Sequence, residues 1–238
     1  MVTDDRRLIV CLLPGLDGTG RLYSRLAADL AADFDVRVID YPVDDFGGYR
    51  ALAEKLAPRL PQDRPFLIVA ESFAGPLAVL LAAALPPGLR GVVIAASFLR
   101  NPVAQAGLLS QVLRFLPAWV PPPLPVLEAI LMDGWKDAEV KRELEASLRL
   151  VKPKVLKARL MAALLVDVRV EFQRIIAPVL YLRANRDRLL QSGVEKEFAM
   201  SEAWRVDVDA PHFVFQAVAS QAAGVIRDFL RDRHIWNG

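Results

Sequence analysis

Residues 65–75 read Pro-Phe-Leu-Ile-Val-Ala-Glu-Ser-Phe-Ala-Gly, and the reading of this stretch decides the fold. An apolar run of strand type, Phe66–Glu71, passes directly into a helix-forming run from Pro76 to Leu85. One serine, Ser72, stands at the junction, where a hydroxyl packs poorly and the turn leaves little room for side chains. Chemistry in an open α/β sheet sits beyond the carboxyl ends of its strands, and Ser72 is at such an end.

Outward from this stretch, similar runs recur at Leu8–Leu13, Val36–Tyr41, Gly91–Ala96, Val179–Arg183 and Arg205–Val208. Leu22, Leu26 and Leu30, then Leu52, Leu56 and Leu60, repeat every four residues between the first three runs, as a buried helix stripe does. Strands alternating with single helices imply an α/β protein with a mostly parallel sheet of about six strands, wrapped by helices on both faces. Val218, Ala222, Val225, Ile226 and Phe229 mark a closing helix. The alternation breaks between Asn101 and Gln173, where helical patterns are interrupted by prolines and no strand is apparent. Such a length exceeds an ordinary connection, so residues 101–173 are expected to form an inserted helical subdomain, with the core in 1–100 and 174–238. Within it, Val120–Pro125 reads as a rigid bend between helices.

Composition narrows the function classes. Of 238 residues, 54% are hydrophobic and 24% charged, which describes a well-buried globular chain. The net charge of +2, without a long basic block, gives no reason to expect nucleic acid. No apolar segment reaches the roughly 18 residues that a membrane helix needs. The single cysteine, Cys11, makes no internal disulfide and suits a reducing compartment, so a cytoplasmic location is expected.

The turn Ala70-Glu71-Ser72-Phe73-Ala74-Gly75 resembles the nucleophile elbow, usually G-x-S-x-G, of the α/β-hydrolase superfamily. Alanine fills both flanking glycine positions, a departure from the usual pattern, with Gly75 one residue further on. A serine needs a base, and the chain has two histidines. His234 lies in a charged tail, whereas His212 follows the last strand in "VDVDAPHFVFQ", where the superfamily carries its catalytic histidine. The resemblance places the acid after the preceding strand, and "VLYLRANRDRLL" supplies Asp187 there. Asp207 and Asp209 lie too near His212 in sequence. The order Ser72, Asp187, His212 matches the superfamily. The loop "LPGLDGTG", 13–20, implies an oxyanion hole made by the backbone N–H groups of Leu16 and Phe73. Both phosphate-binding glycine patterns are absent from this loop, and Asp17 reads as a turn residue. Compared with larger members, the fold is expected to lack the first two strands and to carry the insertion as a lid.

The resemblance implies a serine hydrolase that cleaves a small-molecule carboxylic ester or thioester through an acyl-enzyme, with no metal or cofactor. Leu108, Leu109, Val112, Leu113, Phe115 and Leu116 are helically spaced, with Trp119 and Trp135 beyond, and imply an apolar acyl or aryl group under the lid. An acyltransferase or other non-hydrolytic enzyme on the same fold remains an alternative, as does a triad-bearing binding protein. From Ala146 to Val166 the sequence carries Arg149, Lys152, Lys154, Lys157 and Arg159 with no acidic residue, beside the apolar stripe Val155, Leu156, Leu160 and Leu164. A basic lid face of this kind would steer an acyl carrier protein toward the site; the alternative is a solvated helix face that balances charge elsewhere.

Overall fold

A computed structural model describes residues 7–100, 102–103, 124–190, 192–199 and 203–236. Six parallel strands form one sheet in the order β2-β1-β3-β4-β5-β6. They are β1 (Ile9–Leu13), β2 (Asp35–Val38), β3 (Phe66–Glu71), β4 (Leu89–Ala95), β5 (Val179–Ala184) and β6 (Trp204–Val208). Five of these begin and end within about two residues of the sequence reading. The exception is β2, expected to reach Tyr41. Its Ile39 N–H still donates to Leu12 O at 3.0 Å, but the Tyr41 N–H turns to Gly18 O at 2.8 Å, so the chain leaves the ladder for the loop after β1.

Continuous apolar runs arise because both faces of the sheet are covered. Ile9, Cys11, Leu13, Ile68 and Ala70 point to one face, where α2 (Tyr49–Leu56) and α3 (Ala74–Ala83) pack. Val10, Leu12, Leu67 and Val69 point to the other, against α1 (Ser24–Leu30) and the closing helix α10 (Ala219–Asp232). The expected stripes are present in shortened helices. Leu22 falls in a 3-10 turn before α1, and Leu60 follows a second such turn after α2.

Between β4 and β5 the described chain is helical: α4 (Leu124–Met132), α5 (Ala138–Leu150), α6 (Pro153–Leu165) and α7 (Arg169–Phe172). Asp137 caps α5, its carboxylate accepting from the N–H groups of Glu139 and Val140 at 3.0 Å. Arg100, after β4, forms an antiparallel bridge with Asp167, after α6, and the Val168 N–H donates to Leu99 O at 2.9 Å. Val168 and Phe172 then rejoin the main core. Leu108 to Trp119 and most of the Val120–Pro125 stretch lie outside the described residues. Trp135 packs on Met132, Val140 and Leu144 beside Phe213. Short helices α8 (Glu195–Phe198) and α9 (Val214–Ala217) flank β6. Among the described residues no helix is long and apolar enough to cross a membrane.

One of the five cations of the expected basic face is corrected by the structure. Arg149 is exposed and pairs with Glu145, Lys154 is exposed, and Lys152 faces Asp44 at 3.7 Å. Arg159, however, is fully buried within the protein. At helical spacing it falls on the same face as Val155 and Leu156, so it belongs to the buried side of α6 and gives a carrier protein nothing to read.

Candidate active site

The strand order reverses between β1 and β3, because β2 lies outside β1 on one side and β3 on the other. A crevice opens beyond the carboxyl ends at such a switch point. The loop after β1 and the turn after β3 border it, and they carry Leu16 and Ser72.

Ser72 has φ 57°, a left-handed conformation that costs a non-glycine residue about 1–3 kcal/mol. The strain turns its hydroxyl out of the core. Gly75 shows why small residues are needed here. A Cβ at that position would sit 1.9 Å from Ser97 Oγ and 2.7 Å from Ser97 Cβ. Ser97, fully buried, donates its hydroxyl to the Ser72 carbonyl at 2.5 Å and so pins the turn from the neighbouring strand.

All three residues of the expected triad meet at this turn. His212 Nε2 lies 2.7 Å from Ser72 Oγ, and His212 Nδ1 lies 2.7 Å from Asp187 Oδ2. An ionised carboxylate only accepts, so Nδ1 carries the proton and Nε2 is left to accept from the serine hydroxyl. Asp187 is itself fixed, because its Oδ1 accepts from the N–H groups of Leu189 and Leu190 at 2.8 and 3.0 Å. Burial works to raise the Asp187 pKa, but the imidazole and these hydrogen bonds outweigh it and hold the carboxyl below its usual value. Burial likewise works against the imidazolium, and the Asp187 carboxylate overrides it, raising His212 above 6.5. The rival acids are engaged elsewhere: Asp207 with Arg205 and Arg183, Asp209 with Arg186. His234 is exposed. Cys11 offers no competing nucleophile, since it is buried and desolvation pushes its thiol up to about 12.

Leu16 and Phe73 both line a cavity of about 180 Å³ that opens onto Ser72. Their N–H groups make no hydrogen bond among the described residues, which leaves two donors free beside the serine. Asp17 holds the Leu16 turn, its carboxylate accepting from Thr19 N–H at 2.8 Å and from the Thr19 hydroxyl at 2.5 Å. Cavity walls are apolar and come from the core (Phe98, Phe213) and from the insertion (Leu131, Leu144, Leu160, Leu164).

Several residues that shape this site went unremarked in the sequence. Tyr23, Tyr41 and Tyr49 are buried, and their hydroxyls donate to the carbonyls of Leu13, Pro14 and Phe73 at 2.9, 2.8 and 2.9 Å. They hold the backbone of both loops that flank the cavity. Glu71 precedes the serine and is buried. One of its oxygens accepts from Phe215 N–H at 2.9 Å and the other from Gln216 Nε2 at 3.0 Å, tying the elbow to the histidine loop. Burial pushes its carboxyl up to about 7 against these bonds. The only sequence signal for Glu71 was an acid ending an apolar strand, and for the tyrosines there was none.

The sequence model of the alpha/beta hydrolase family matches residues 9–227. A search for curated relatives finds no match. Among solved structures, a hydrolase from Oleispira antarctica superposes with TM-score 0.80 at 16% identity, over 94% of this chain and 91% of its own. A thermophilic esterase from Thermogutta terrifontis gives 0.75 at 19% identity, over 96% and 91%. An enol-lactonase from Burkholderia xenovorans LB400 gives 0.73 at 19% identity, over 96% and 93%. At such identities the likeness is one of fold, and it agrees with a sequence match that spans nearly the whole chain: the protein belongs to the alpha/beta hydrolase family.

Proposed function

We propose that the protein is a serine hydrolase that cleaves a carboxylic ester or thioester with an uncharged apolar acyl or aryl group. The observation that carries this reading is the hydrogen-bonded series Ser72, His212, Asp187, set on a strained turn that faces an apolar cavity. His212 Nε2 takes the Ser72 proton as Oγ attacks the substrate carbonyl. Negative charge then gathers on the carbonyl oxygen, and the N–H groups of Leu16 and Phe73 receive it. Collapse of this adduct breaks the bond to the leaving alcohol or thiol, which leaves with the proton held by His212. Water repeats the sequence on the acyl-enzyme and releases the acid. Asp187 stays ionised throughout and keeps the imidazole in the tautomer that faces Ser72.

The insertion acts in this reading as a lid that closes the cavity and excludes charged acyl groups, since its contribution to the walls is apolar. Labelling with a fluorophosphonate probe tests the proposal. Wild type should be modified at Ser72 and hydrolyse p-nitrophenyl butyrate, while Ser72→Ala folds but does neither. Full labelling of the alanine variant would place the nucleophile elsewhere.

A further inference from the structure

Among the described residues Arg159 is the largest fully buried side chain, and no carboxylate there pairs with it. A guanidinium in such surroundings is costly compared with an apolar side chain of the same volume. Its donors go to main-chain carbonyls: Nη1 to Leu16 O at 2.9 Å and Asp17 O at 2.7 Å, Nη2 to Pro42 O at 2.8 Å. Its Nε is buried with no partner. Tyr41 and Phe46 flank the cation, with ring centroids 5.4 and 5.9 Å from its central carbon. Where the guanidinium meets the loop stands Gly18, on which a Cβ would lie 2.7 Å from Arg159 Nη1. The same Cβ would lie 2.6 Å from Tyr41 Cδ2, so this glycine makes room for both Tyr41 and Arg159.

That side chain comes from the insertion, and two of the carbonyls it holds belong to the loop that presents the Leu16 N–H. The loop is a turn closed by Gly18 N–H to Gly15 O at 3.1 Å. Holding the Leu16 carbonyl, with the Gly18 to Gly15 turn closed beside it, restricts the Leu16 φ and ψ rotations that lie between that carbonyl and the Leu16 N–H, and so the direction in which the N–H points. The neighbouring face of the same helix brings Leu160, Ala163 and Leu164 to the cavity wall. Helix α6 thus touches the acyl pocket with one face and grips the oxyanion loop with another.

We propose that Arg159 is a positioning residue for the oxyanion hole, and that docking of α6 on the core completes the hole. This rests on the serine hydrolase reading above and adds that the insertion is part of the catalytic apparatus. Arg159 acts through the Leu16 backbone and does not touch the substrate. A donor held out of line is felt where negative charge develops on oxygen and hardly at all in the ground state. Loss of Arg159 should therefore lower kcat and leave binding of neutral molecules in the cavity unaltered.

The test compares full-length wild type, Arg159→Met, Arg159→Lys and, as a control on the exposed side of the insertion, Arg149→Met. Four quantities are measured at a temperature where melting curves show each protein folded. They are kcat and KM for p-nitrophenyl butyrate, the affinity for an alkyl boronic acid that forms a tetrahedral adduct on Ser72, and the affinity for hexanol. Removing one oxyanion donor outright costs about 10²–10³ in kcat, so a displaced donor should cost about 10- to 100-fold. Arg159→Met should show that loss in kcat and in boronate affinity, with KM and hexanol affinity within about threefold of wild type. Arg159→Lys should fall between, and Arg149→Met should match wild type. If Arg159→Met does not fold, Arg159→Lys decides alone. A folded Arg159 variant with wild-type kcat overturns the proposal, and so does a parallel fall in hexanol affinity, which would mean general collapse of the pocket. Failure of wild type to react with the fluorophosphonate would overturn the hydrolase reading instead, so the two failures are distinct.

Discussion

Glu71 makes the protein's stability depend on pH in a direction opposite to that of an ordinary ion-paired carboxylate. Its carboxyl moves from 4.5 in the unfolded chain to about 7 in the fold, because burial disfavours the charged form more than its two hydrogen bonds favour it. Between those values the native state holds a proton that the unfolded state has released, so stability falls as pH rises through this window. At about 1.36 kcal/mol per pKa unit the full loss is about 3 kcal/mol, reached above pH 7. Glu71→Gln removes the titration and keeps an acceptor for Phe215 N–H. Its new amide donors would meet Gln216 Nε2, but Gln216 Oε1 is buried without a partner, and a turn of that amide by 180° makes the pair complementary.

Urea unfolding of both proteins at pH 5, 6, 7, 8 and 9 measures the effect. Near pH 5 the two should be of similar stability. Above pH 8 the Gln variant should lead by about 2–3 kcal/mol, or roughly 4–12 °C in Tm for a chain of this size. A stability difference that stays flat from pH 5 to pH 9 would refute the reasoning, because it would mean that Glu71 titrates alike in the folded and unfolded protein. Activity supplies an independent check. The Glu71 charge is one of the influences that raise His212, so its removal should move the acid limb of the activity profile to lower pH.

Other outcomes follow from the same geometry. Activity should fall with acid at a pH above 6.5, since Asp187 raises His212, and a pH titration of kcat/KM reads this directly. Asp187→Asn should lower kcat by up to about 10⁴, whereas Asp207→Asn and Asp209→Asn, whose parents sit in exposed ion pairs, should cost less than about threefold. Gly75→Ala drives a methyl into Ser97 and should destabilise the fold by about 1–3 kcal/mol in urea melts, with kcat lowered through the shifted turn. Along a series of p-nitrophenyl esters, each methylene that enters the apolar cavity should raise kcat/KM about fourfold, from about 0.8 kcal/mol per buried CH₂, until the cavity is full. A charged terminal group on the acyl chain should reverse that gain.

What the sequence disclosed and what it withheld divide along one physical line. Strands β1 and β3 were legible because burial on both faces leaves an unbroken apolar run, and Ser72 was legible because such a run ended in a hydroxyl. His212 and Asp187 could be placed because each follows a strand, and a strand end is a position that the order of elements defines. Arg159 had no such anchor. In the sequence it is one cation among five on a segment without acids, and helical spacing alone puts it beside Val155 and Leu156 as readily as beside Lys152. Only the contact between helix α6 and the loop after β1, residues far apart in the chain, turns it from a surface charge into a buried clamp. The same holds for Tyr23, Tyr41 and Tyr49, whose hydroxyls meet backbone carbonyls that no local pattern could pair with them. The residues of the proposed triad sit on the scaffold's own punctuation, while the groups that hold the backbone around them depend on tertiary contact. Substitutions at this second set should therefore alter kcat through geometry, and among them only Arg159 tests the proposed link between the insertion and the chemistry.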